Sequence, residues 1–255
     1  MENPADHGLV LADIVEEVAQ LVLPLWRSEL TVHQKDDYSP VTEADRQGER
    51  LILERLSGLF PEVPVVSEEH ASEFGAPEAI GDRFFLVDPI DGTKAFVRGD
   101  PHFTVNIALI ENGRPVAGAV GAPALGQTWF TTRQGTLRRG PEADAAPVRV
   151  RPWPQAGSTA LVSHTMKEET ARALAEQYGF EERKPMDSSI KLCIIAQGDA
   201  DIYPRHGTTM EWDIAAGHAV LLGAGGSVRN TDGGEIVYGK ASEGFRNGWF
   251  VARGG

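Results

Sequence analysis

Cysteine, basic residues and long apolar runs are all scarce in this sequence, and each scarcity excludes a class of protein. The single cysteine, Cys193, excludes an internal disulfide framework and a cysteine-based zinc site, and it favours a reducing compartment. No apolar run approaches the ~20 residues that a transmembrane helix needs, and the N-terminus lacks the pattern of a signal peptide. We therefore expect a cytoplasmic protein with no integral membrane segment.

The charge balance is strongly acidic, with 24 Lys and Arg against 37 Asp and Glu and a formal net charge of −13. A nucleic-acid-binding protein normally presents a basic face, so we expect no nucleic-acid partner. A small phosphorylated substrate remains compatible with this charge, because a bound metal ion reverses the sign of the local field. The sequence leaves open whether the protein is a monomer or a homodimer.

The 255 residues mix helical and strand patterns in the manner of an α/β protein. Apolar residues at helical spacing predict an amphipathic helix over about 9–28, and the Asn-Gly pair at 112–113, between two apolar runs, predicts a tight β-hairpin. The stretch 134–157 is rich in Gly, Pro, Arg and Ala and lacks periodicity, which predicts a linker, with an edge strand near its end as the alternative. We therefore predict an N-terminal domain over 1–150 and a C-terminal domain over 151–255.

The segment "DPIDGT", which begins at Asp88, places two aspartates directly after an apolar strand. Repulsion between Asp88 and Asp91 is unfavourable unless a cation or a hydrogen-bond network lies there. Mg²⁺ prefers oxygen ligands, so these carboxylates and the Ile90 carbonyl between them form a candidate metal site. Gly92 and Thr93 would then begin a helix whose free N–H groups face a phosphate.

Three further acids have ordinary structural explanations when each is taken alone. Asp45 lies three residues after Thr42, so the two residues predict a capping box at the start of a helix. Glu68 follows a short strand as a solvated acid, and Asp213 lies in the first turn of a helix, where the helix dipole favours negative charge. Together with the two acids of "DPIDGT", they instead suit two cations about 3.5–4 Å apart, which would clamp the attacking and leaving oxygens of a phosphoryl transfer.

Four separated motifs carry a resemblance to a known family. In chain order they are "SPVTEAD", "SEE", "DPIDGT" and "WDIAAG", and they resemble the motifs of the inositol monophosphatase superfamily. Lys94, together with "FTVNIALI", "SSIKLC", "YPRHGTTMEWDIAAGHAV" and "RNGWFVA", is similar to the 3'(2'),5'-bisphosphate nucleotidase branch of that superfamily. Two positions depart from the branch, with Ile90 in place of leucine and Ala95 in place of glutamate; the second removes a carboxylate near the expected site.

The resemblance implies a fold and a set of metal ligands. The fold is an α/β (α+β) layered α/β/α/β/α sandwich of the inositol monophosphatase and sugar phosphatase type. The metals are two or three Mg²⁺ ions, the third joining with substrate. Glu68, Asp88 and the Ile90 carbonyl would hold one ion, and Asp88, Asp91 and Asp213 would hold a second. Inhibition by lithium and a part in sulfur metabolism are also implied by the family.

The same resemblance assigns roles to catalytic and substrate-binding residues. Asp45 and the Thr93 hydroxyl would orient and deprotonate the attacking water, and Glu68, as a metal ligand, completes the catalytic set. The substrate-binding residues that the resemblance implies are Gly92, Thr93, Lys94, Ser163, His164, Ser189, Lys191, Arg205 and Asp213.

The expected reaction is hydrolysis of the 3'-phosphate of adenosine 3',5'-bisphosphate to AMP by a metal-activated water. Two alternatives stay open: a phosphatase for inositol phosphates or other small sugar phosphates in the same superfamily, and a non-catalytic sensor of metal and nucleotide. An aspartate-phosphatase of the haloacid dehalogenase kind is disfavoured. The motif of such an enzyme separates its two aspartates by one residue, and here two residues intervene.

Overall fold

The structure is a computed structural model that describes residues 7–28, 33–34, 40–141 and 143–255. The helices within these ranges are α1 (His7–Val22), α2 (Glu43–Leu59), α3 (Glu68–Phe74), α4 (Thr93–Val97), α5 (Glu168–Tyr178), α6 (Ile190–Ala196) and α7 (Glu211–Gly223). Single 3₁₀ turns lie at Pro123–Leu125 and Ala241–Glu243. Among the described residues, no helix combines the length and the apolar character needed to cross a membrane.

The larger sheet has seven strands that follow one another in chain order. A separate antiparallel pair precedes it, formed by β1 (His33–Gln34) and β2 (Pro40–Val41). The seven strands are β3 (Val65–Ser67), β4 (Arg83–Asp91), β5 (Thr104–Glu111), β6 (Arg114–Ala122), β7 (Gln127–Thr132), β8 (Gly135–Gly140) and β9 (Ala143–Val148). Only β3 and β4 pair in parallel within this sheet, as the structure describes it. The predicted hairpin joins β5 to β6, where Asn112 (φ 50°) and Gly113 (φ 73°) both adopt the left-handed backbone that a type I′ turn needs.

The smaller sheet has five strands in the order β11-β10-β12-β16-β14. Its strands are β10 (Thr159–Val162), β11 (Glu182–Pro185), β12 (Ile202–Arg205), β14 (Ser227–Asn230) and β16 (Phe250–Arg253). β10 is parallel to both of its neighbours, and β16 is antiparallel to both of its own. A short antiparallel pair joins β13 (Thr209–Met210), directly before α7 in the chain, to β15 (Arg246–Asn247), which follows that helix and β14.

Side chains on the two faces of β4 show the order of the layers. Phe85 and Val87 pack in one hydrophobic cluster with α1 and α2, whereas Phe84 and Leu86 pack in another with α6 and α7. The second cluster continues into the smaller sheet, and α5 packs on the far face of that sheet. Because successive strand residues point to opposite faces, β4 is buried on both sides, which explains its unbroken apolar run. The predicted α/β/α/β/α sandwich is confirmed.

Close packing of α7 on the larger sheet positions the helix that carries Asp213. α7 lies across β4, β5 and β6. A Cβ atom added at Gly118 of β6 would lie 2.8 Å from the Ala216 carbonyl oxygen and 2.9 Å from the Ala219 Cβ. A glycine at this position therefore allows the helix to approach the backbone of the sheet, and the first turn of the helix lies near the end of β4.

The structure differs from the predicted secondary structure at three places: the end of the first helix, the predicted linker and a strand that was not predicted. The first helix ends at Val22 rather than near 28, because Pro24 lacks the N–H that would continue it. Half of the predicted linker at 134–157 is sheet, since β8 and β9 lie within it, and the alternative edge strand near its end stops at Val148. The strand β11 was not predicted, because its four residues are polar or proline and exposed.

The division into two domains stays a prediction. The larger sheet lies within 65–148 and the smaller sheet within 159–253, on either side of the expected boundary. The hydrophobic cluster around α6 and α7 contains side chains from both sheets, so the layers share one continuous core.

Candidate metal centre and active-site cleft

A β-bulge at the end of β4 shapes the candidate metal centre. Asp88 pairs with Asn106 and Asp91 pairs with Thr104, so two residues of β4 lie opposite one residue of β5. The Ile90 N–H donates to Asp88 Oδ1 at 3.0 Å. A bulge interrupts the alternation of side chains along a strand, which accounts for two aspartates three positions apart belonging to one group of acids.

Glu68 reaches the same group through the register of the parallel strand pair. Ser67, the last residue of β3, pairs with Val87 of β4, so Glu68 and Asp88 follow at the same end of the two strands. Asp88 is 1% exposed. Burial raises the pKa of Asp88 well above its usual value, and repulsion from Glu68, Asp91 and Asp213 raises it further.

Asp213 and Asp91 complete the acid cluster, which we define as Glu68, Asp88, Asp91 and Asp213. Burial raises the pKa of Asp213, and the charges of Asp91 and Glu68 reinforce the shift. Burial also raises the pKa of Asp91 to about 6, although the charge of Lys191 and a hydrogen bond from the Ser189 N–H oppose the rise. The Asp213 carboxylate accepts a hydrogen bond from the Met210 N–H at 2.8 Å. Asp213 is therefore a first-turn acid of α7, as expected, and at the same time a member of the acid cluster.

The donor chemistry of the acid cluster fits a hard divalent cation. All of its ligand atoms are carboxylate oxygens, which Mg²⁺ prefers. Lys191 and Arg205 are the cations that act on Asp91 within the described residues, so four acids face two positive side chains. Burial lowers the pKa of Lys191 to about 8, which weakens its compensation further. The excess negative charge needs protons or metal ions, and at neutral pH metal ions suit it best.

The Asp45 carboxylate, in the first turn of α2, accepts hydrogen bonds on both of its oxygens and so connects this helix to Thr93. Its Oδ2 accepts the Thr42 N–H at 2.8 Å and the Thr42 hydroxyl at 2.6 Å, which confirms the predicted capping box. Its Oδ1 accepts from the Thr93 hydroxyl at 3.2 Å, and the same hydroxyl lies 3.1 Å from the Ile90 carbonyl oxygen. The cap and the predicted pair with Thr93 are therefore compatible, because the cap fixes the carboxylate in the orientation that the pair uses.

Gly92 forms the corner between the acid cluster and α4. It adopts a left-handed backbone (φ 89°), and an added Cβ atom would lie 3.2 Å from the His102 carbonyl oxygen. The Gly92 carbonyl accepts the N–H groups of Ala95 and Phe96. By helix geometry, the N–H groups of Gly92, Thr93 and Lys94 have no partner within the helix, and these residues line the cleft described next.

A cleft of about 540 Å³ opens beside the acid cluster. Every predicted substrate-binding residue contributes to its lining, as does Glu68. Asp45, Asp88 and Ile90 lie beneath the lining, where they contact Thr93 or one another. The structure thus brings the predicted site residues to one cleft, and their individual roles stay predictions.

The cationic and hydroxyl groups of the cleft differ in how many hydrogen bonds they already make within the protein. Lys191 Nζ donates to the Met186 carbonyl at 3.1 Å and lies 4.9 Å from the centre of the Tyr203 ring. Arg205 lines the cleft, and its Nη2 donates to the Thr208 carbonyl at 3.4 Å, whereas its buried Nε has no hydrogen-bond partner among the described residues. The Ser189 hydroxyl bonds Thr104 and Asn106 of β5, which holds the start of α6 against the larger sheet.

Two cleft residues were missed by the sequence reasoning. Arg98 lines the cleft and forms an ion pair with Asp187 at 2.6 Å. It follows Lys94 by four residues, and this spacing, which puts both side chains on one face of a helix, was the available signal. Tyr203 also lines the cleft, and burial raises its pKa; it is the first residue of the family-like motif "YPRHGTTMEWDIAAGHAV", which was the available signal.

Comparison with known proteins assigns the family. A sequence model described as the inositol monophosphatase family matches residues 9–251. The chain belongs to the inositol monophosphatase family.

Relatives within the inositol monophosphatase family cover most of the chain. A Salmonella typhimurium protein named 3'(2'),5'-bisphosphate nucleotidase CysQ is 38% identical over 213 residues, 80% of this chain and 82% of that protein. A Buchnera aphidicola protein of the same name is 34% identical over 254 residues, 95% and 91% of the two chains. The crystal structure of CysQ from Bacteroides thetaiotaomicron is 29% identical, with a TM-score of 0.77 over 98% and 97% of the two chains. The resemblance found in the motifs is confirmed.

The pKa shifts of the acid cluster predict how Mg²⁺ changes thermal stability with pH. The folded-state pKa values of Asp88, Asp91 and Asp213 lie above their unfolded values. The stability that these groups contribute when protonated is therefore lost as pH rises from about 4 through about 6 and beyond. We expect the increase in Tm on adding Mg²⁺ to be larger at pH 7.5 than at pH 5.

The variant Asp88→Asn sharpens this measurement. Removing one buried charge should raise the Tm of the metal-free protein at pH 7.5 and should abolish most of the increase caused by Mg²⁺. Glu78→Gln, at an exposed acid away from the cluster, is the matched control and should behave like the wild type. An equal response of Asp88→Asn and wild type to Mg²⁺ would contradict metal binding at the cluster.

Proposed function

We propose that this protein is a Mg²⁺-dependent phosphomonoesterase that hydrolyses the 3'-phosphate of adenosine 3',5'-bisphosphate to AMP. The observation that carries the proposal is the partly buried acid cluster at a cleft that is also lined by Lys191 and Arg205. Carboxylates that hold cations suit a phosphate under attack, and cationic side chains suit a second phosphate on the same substrate. The names of the CysQ relatives support the same substrate class.

Two or three Mg²⁺ ions would be held by the acid cluster and the Ile90 carbonyl, as the family resemblance implies. Bound Mg²⁺ neutralises phosphate charge and lowers the pKa of a water molecule toward neutrality. The reaction also requires that the substrate and the water be held in position, and side chains of the protein do this.

The Asp45–Thr93 pair supplies a path for the proton of the attacking water. The Thr93 hydroxyl has one proton and two acceptors within reach, Asp45 Oδ1 and the Ile90 carbonyl. When the hydroxyl donates to Asp45, its lone pairs are free to accept a hydrogen bond from a water in the cleft. The proton then passes through Thr93 Oγ1 to Asp45 Oδ1, while Thr42 holds the other carboxylate oxygen still.

The rest of the cleft is proposed to bind the nucleotide. Arg205 and Lys191, the two positive side chains that act on Asp91, line the cleft and are the partners proposed for the 5'-phosphate. Lys94 is placed on the same cleft by the first turn of α4, and Ser163 and His164 follow β10 on its other side. Inhibition by Li⁺, a cytoplasmic location, a part in sulfur metabolism and a monomeric or homodimeric state belong to the same proposal.

A pair of substrates that differ by one phosphate tests the role of Arg205. We expect the wild type, at saturating Mg²⁺, to release phosphate from adenosine 3',5'-bisphosphate with a higher kcat/KM than from adenosine 3'-monophosphate. Arg205→Gln should lose roughly 10- to 100-fold in kcat/KM on the bisphosphate, because a hydrogen bond to a charged group contributes about 1.5–3 kcal/mol. The same variant should leave the monophosphate reaction nearly unchanged.

Inositol 1-phosphate is the control substrate for this experiment. A higher kcat/KM on inositol 1-phosphate would retain the hydrolytic mechanism and overturn the nucleotide assignment. No phosphate release from any of the three substrates, with Mg²⁺ bound, would favour the sensor over the enzyme.

Removal of the Thr93 hydroxyl tests the proton path separately from substrate binding. We expect Thr93→Ala to lower kcat by about 10²–10⁴-fold, the range typical of a general base, with KM changed much less. Thr93→Ser keeps a hydroxyl at the same position and should retain most of the activity. Equal loss in the Ala and Ser variants would show that Thr93 acts by shape rather than through its proton.

A further inference from the structure

A second group of potential metal ligands lies at the edge of the cleft, apart from the acid cluster. It consists of Asp100, His102 and His164, which we call the histidine triplet. One ligand atom from each of the three side chains lies within 4.8 Å of the other two. None of the three residues has a part in holding Mg²⁺ in the proposed function, and two of them, Asp100 and His102, have no part in it at all.

Two distant segments of the chain supply the histidine triplet. Asp100 and His102 lie in the loop between α4 and β5, and His164 follows β10 of the smaller sheet. The Asp100 carboxylate accepts the His102 N–H at 2.9 Å, which fixes it within the loop. Its other oxygen, Oδ2, lies 4.0 Å from His164 Nε2. The triplet therefore bridges elements on opposite sides of the cleft.

The side chains of Asp100 and His102 are in direct contact. His102 Nδ1 lies 2.8 Å from Asp100 Oδ1. Yet this buried nitrogen has no correctly aligned hydrogen-bond partner among the described residues. Two imidazole nitrogens and a carboxylate oxygen grouped this closely can share one cation, which their lone pairs can face.

The spacing of the triplet is near that of a transition-metal site. Zinc ligands lie about 2.0–2.2 Å from the ion, so the donor atoms of a tetrahedral site are roughly 3.4 Å apart. The three donor atoms now lie up to 4.8 Å from one another, and bringing them to the spacing of a zinc site needs movements on the order of 1 Å. The His164 side chain is 37% exposed, against 25% for Asp100 and 27% for His102, so His164 is the member most free to move.

We propose that Asp100, His102 and His164 bind one divalent transition-metal ion of the zinc class. Two imidazoles and one carboxylate suit Zn²⁺, Co²⁺ or Ni²⁺, whereas Mg²⁺ prefers the all-oxygen acid cluster. Three protein ligands leave one position of a tetrahedral ion for water or an anion. The chain thus contains two metal sites with different selectivity, and the second joins the α4–β5 loop to the end of β10.

The binding site is tested with Zn²⁺ and Co²⁺ on full-length protein without a polyhistidine tag. The Asp88→Asn background with excess Mg²⁺ present limits competition from the acid cluster. We expect about one equivalent of Zn²⁺ to bind in calorimetry, and Co²⁺ to produce a visible absorption spectrum of nitrogen and oxygen ligation. His102→Ala and Asp100→Asn should each weaken binding by at least about tenfold.

His70→Ala is the matched control, because His70 is an exposed histidine outside the triplet; its affinity for Zn²⁺ should equal that of the background. Equal affinity in the background, His102→Ala and Asp100→Asn would overturn the proposal, as would the absence of Zn²⁺ binding in the background. If His102→Ala fails to fold, Asp100→Asn decides, since an asparagine oxygen can still accept the His102 N–H.

A second readout follows if the proposed function holds, because His164 is then a substrate residue. A metal ion on the triplet would withdraw His164 from the substrate, so Zn²⁺ should inhibit phosphate release more strongly in the wild type than in His102→Ala. Equal inhibition of the two proteins would contradict this consequence. Binding is measured without substrate, so failure of the proposed function and failure of the metal site give different results.

Discussion

Repulsion among buried carboxylates is the constraint on which the rest of this structure depends. Asp88 is buried, and Asp91 and Asp213 are half-buried beside Glu68; burial together with repulsion between neighbouring acids raises the pKa values of the three aspartates. A chain that kept these charges unpaired would lose stability at neutral pH. In the proposed function the same repulsion favours the binding of a hard cation, and its cost is a lower stability of the metal-free protein.

Backbone features bring these acids together more than the reach of their side chains does. The bulge in β4 places Asp88 and Asp91 in one group, and the parallel register of β3 places Glu68 at the same sheet end. α7 lies close on the sheet at Gly118 and contributes Asp213 from its first turn. The layered fold thus converts four motifs that are far apart in sequence into one site.

Part of the fold and part of the site could be predicted from local patterns in the sequence. The hairpin at 112–113, the capping box at Asp45 and the paired aspartates of "DPIDGT" depend on residues close together in the chain, and the family motifs supplied the layered fold. Arg98 and the histidine triplet were not predicted. The partners Asp187 and His164 come from the other half of the chain, and only tertiary packing brings them to the loop after α4. The stretch 134–157 was predicted as a linker for a similar reason, since its composition is that of a loop, and the pairing of β8 with β7 and of β9 with β8 makes these segments strands.

The most direct test of the account is a crystal structure of the protein grown with Mn²⁺, AMP and inorganic phosphate, with anomalous scattering recorded at the manganese edge. The account predicts at least two anomalous peaks among the oxygens of Glu68, Asp88, Asp91 and Asp213, with phosphate between these peaks and the first turn of α4. An acid cluster with no anomalous peak, or with phosphate bound elsewhere in the cleft, would contradict it.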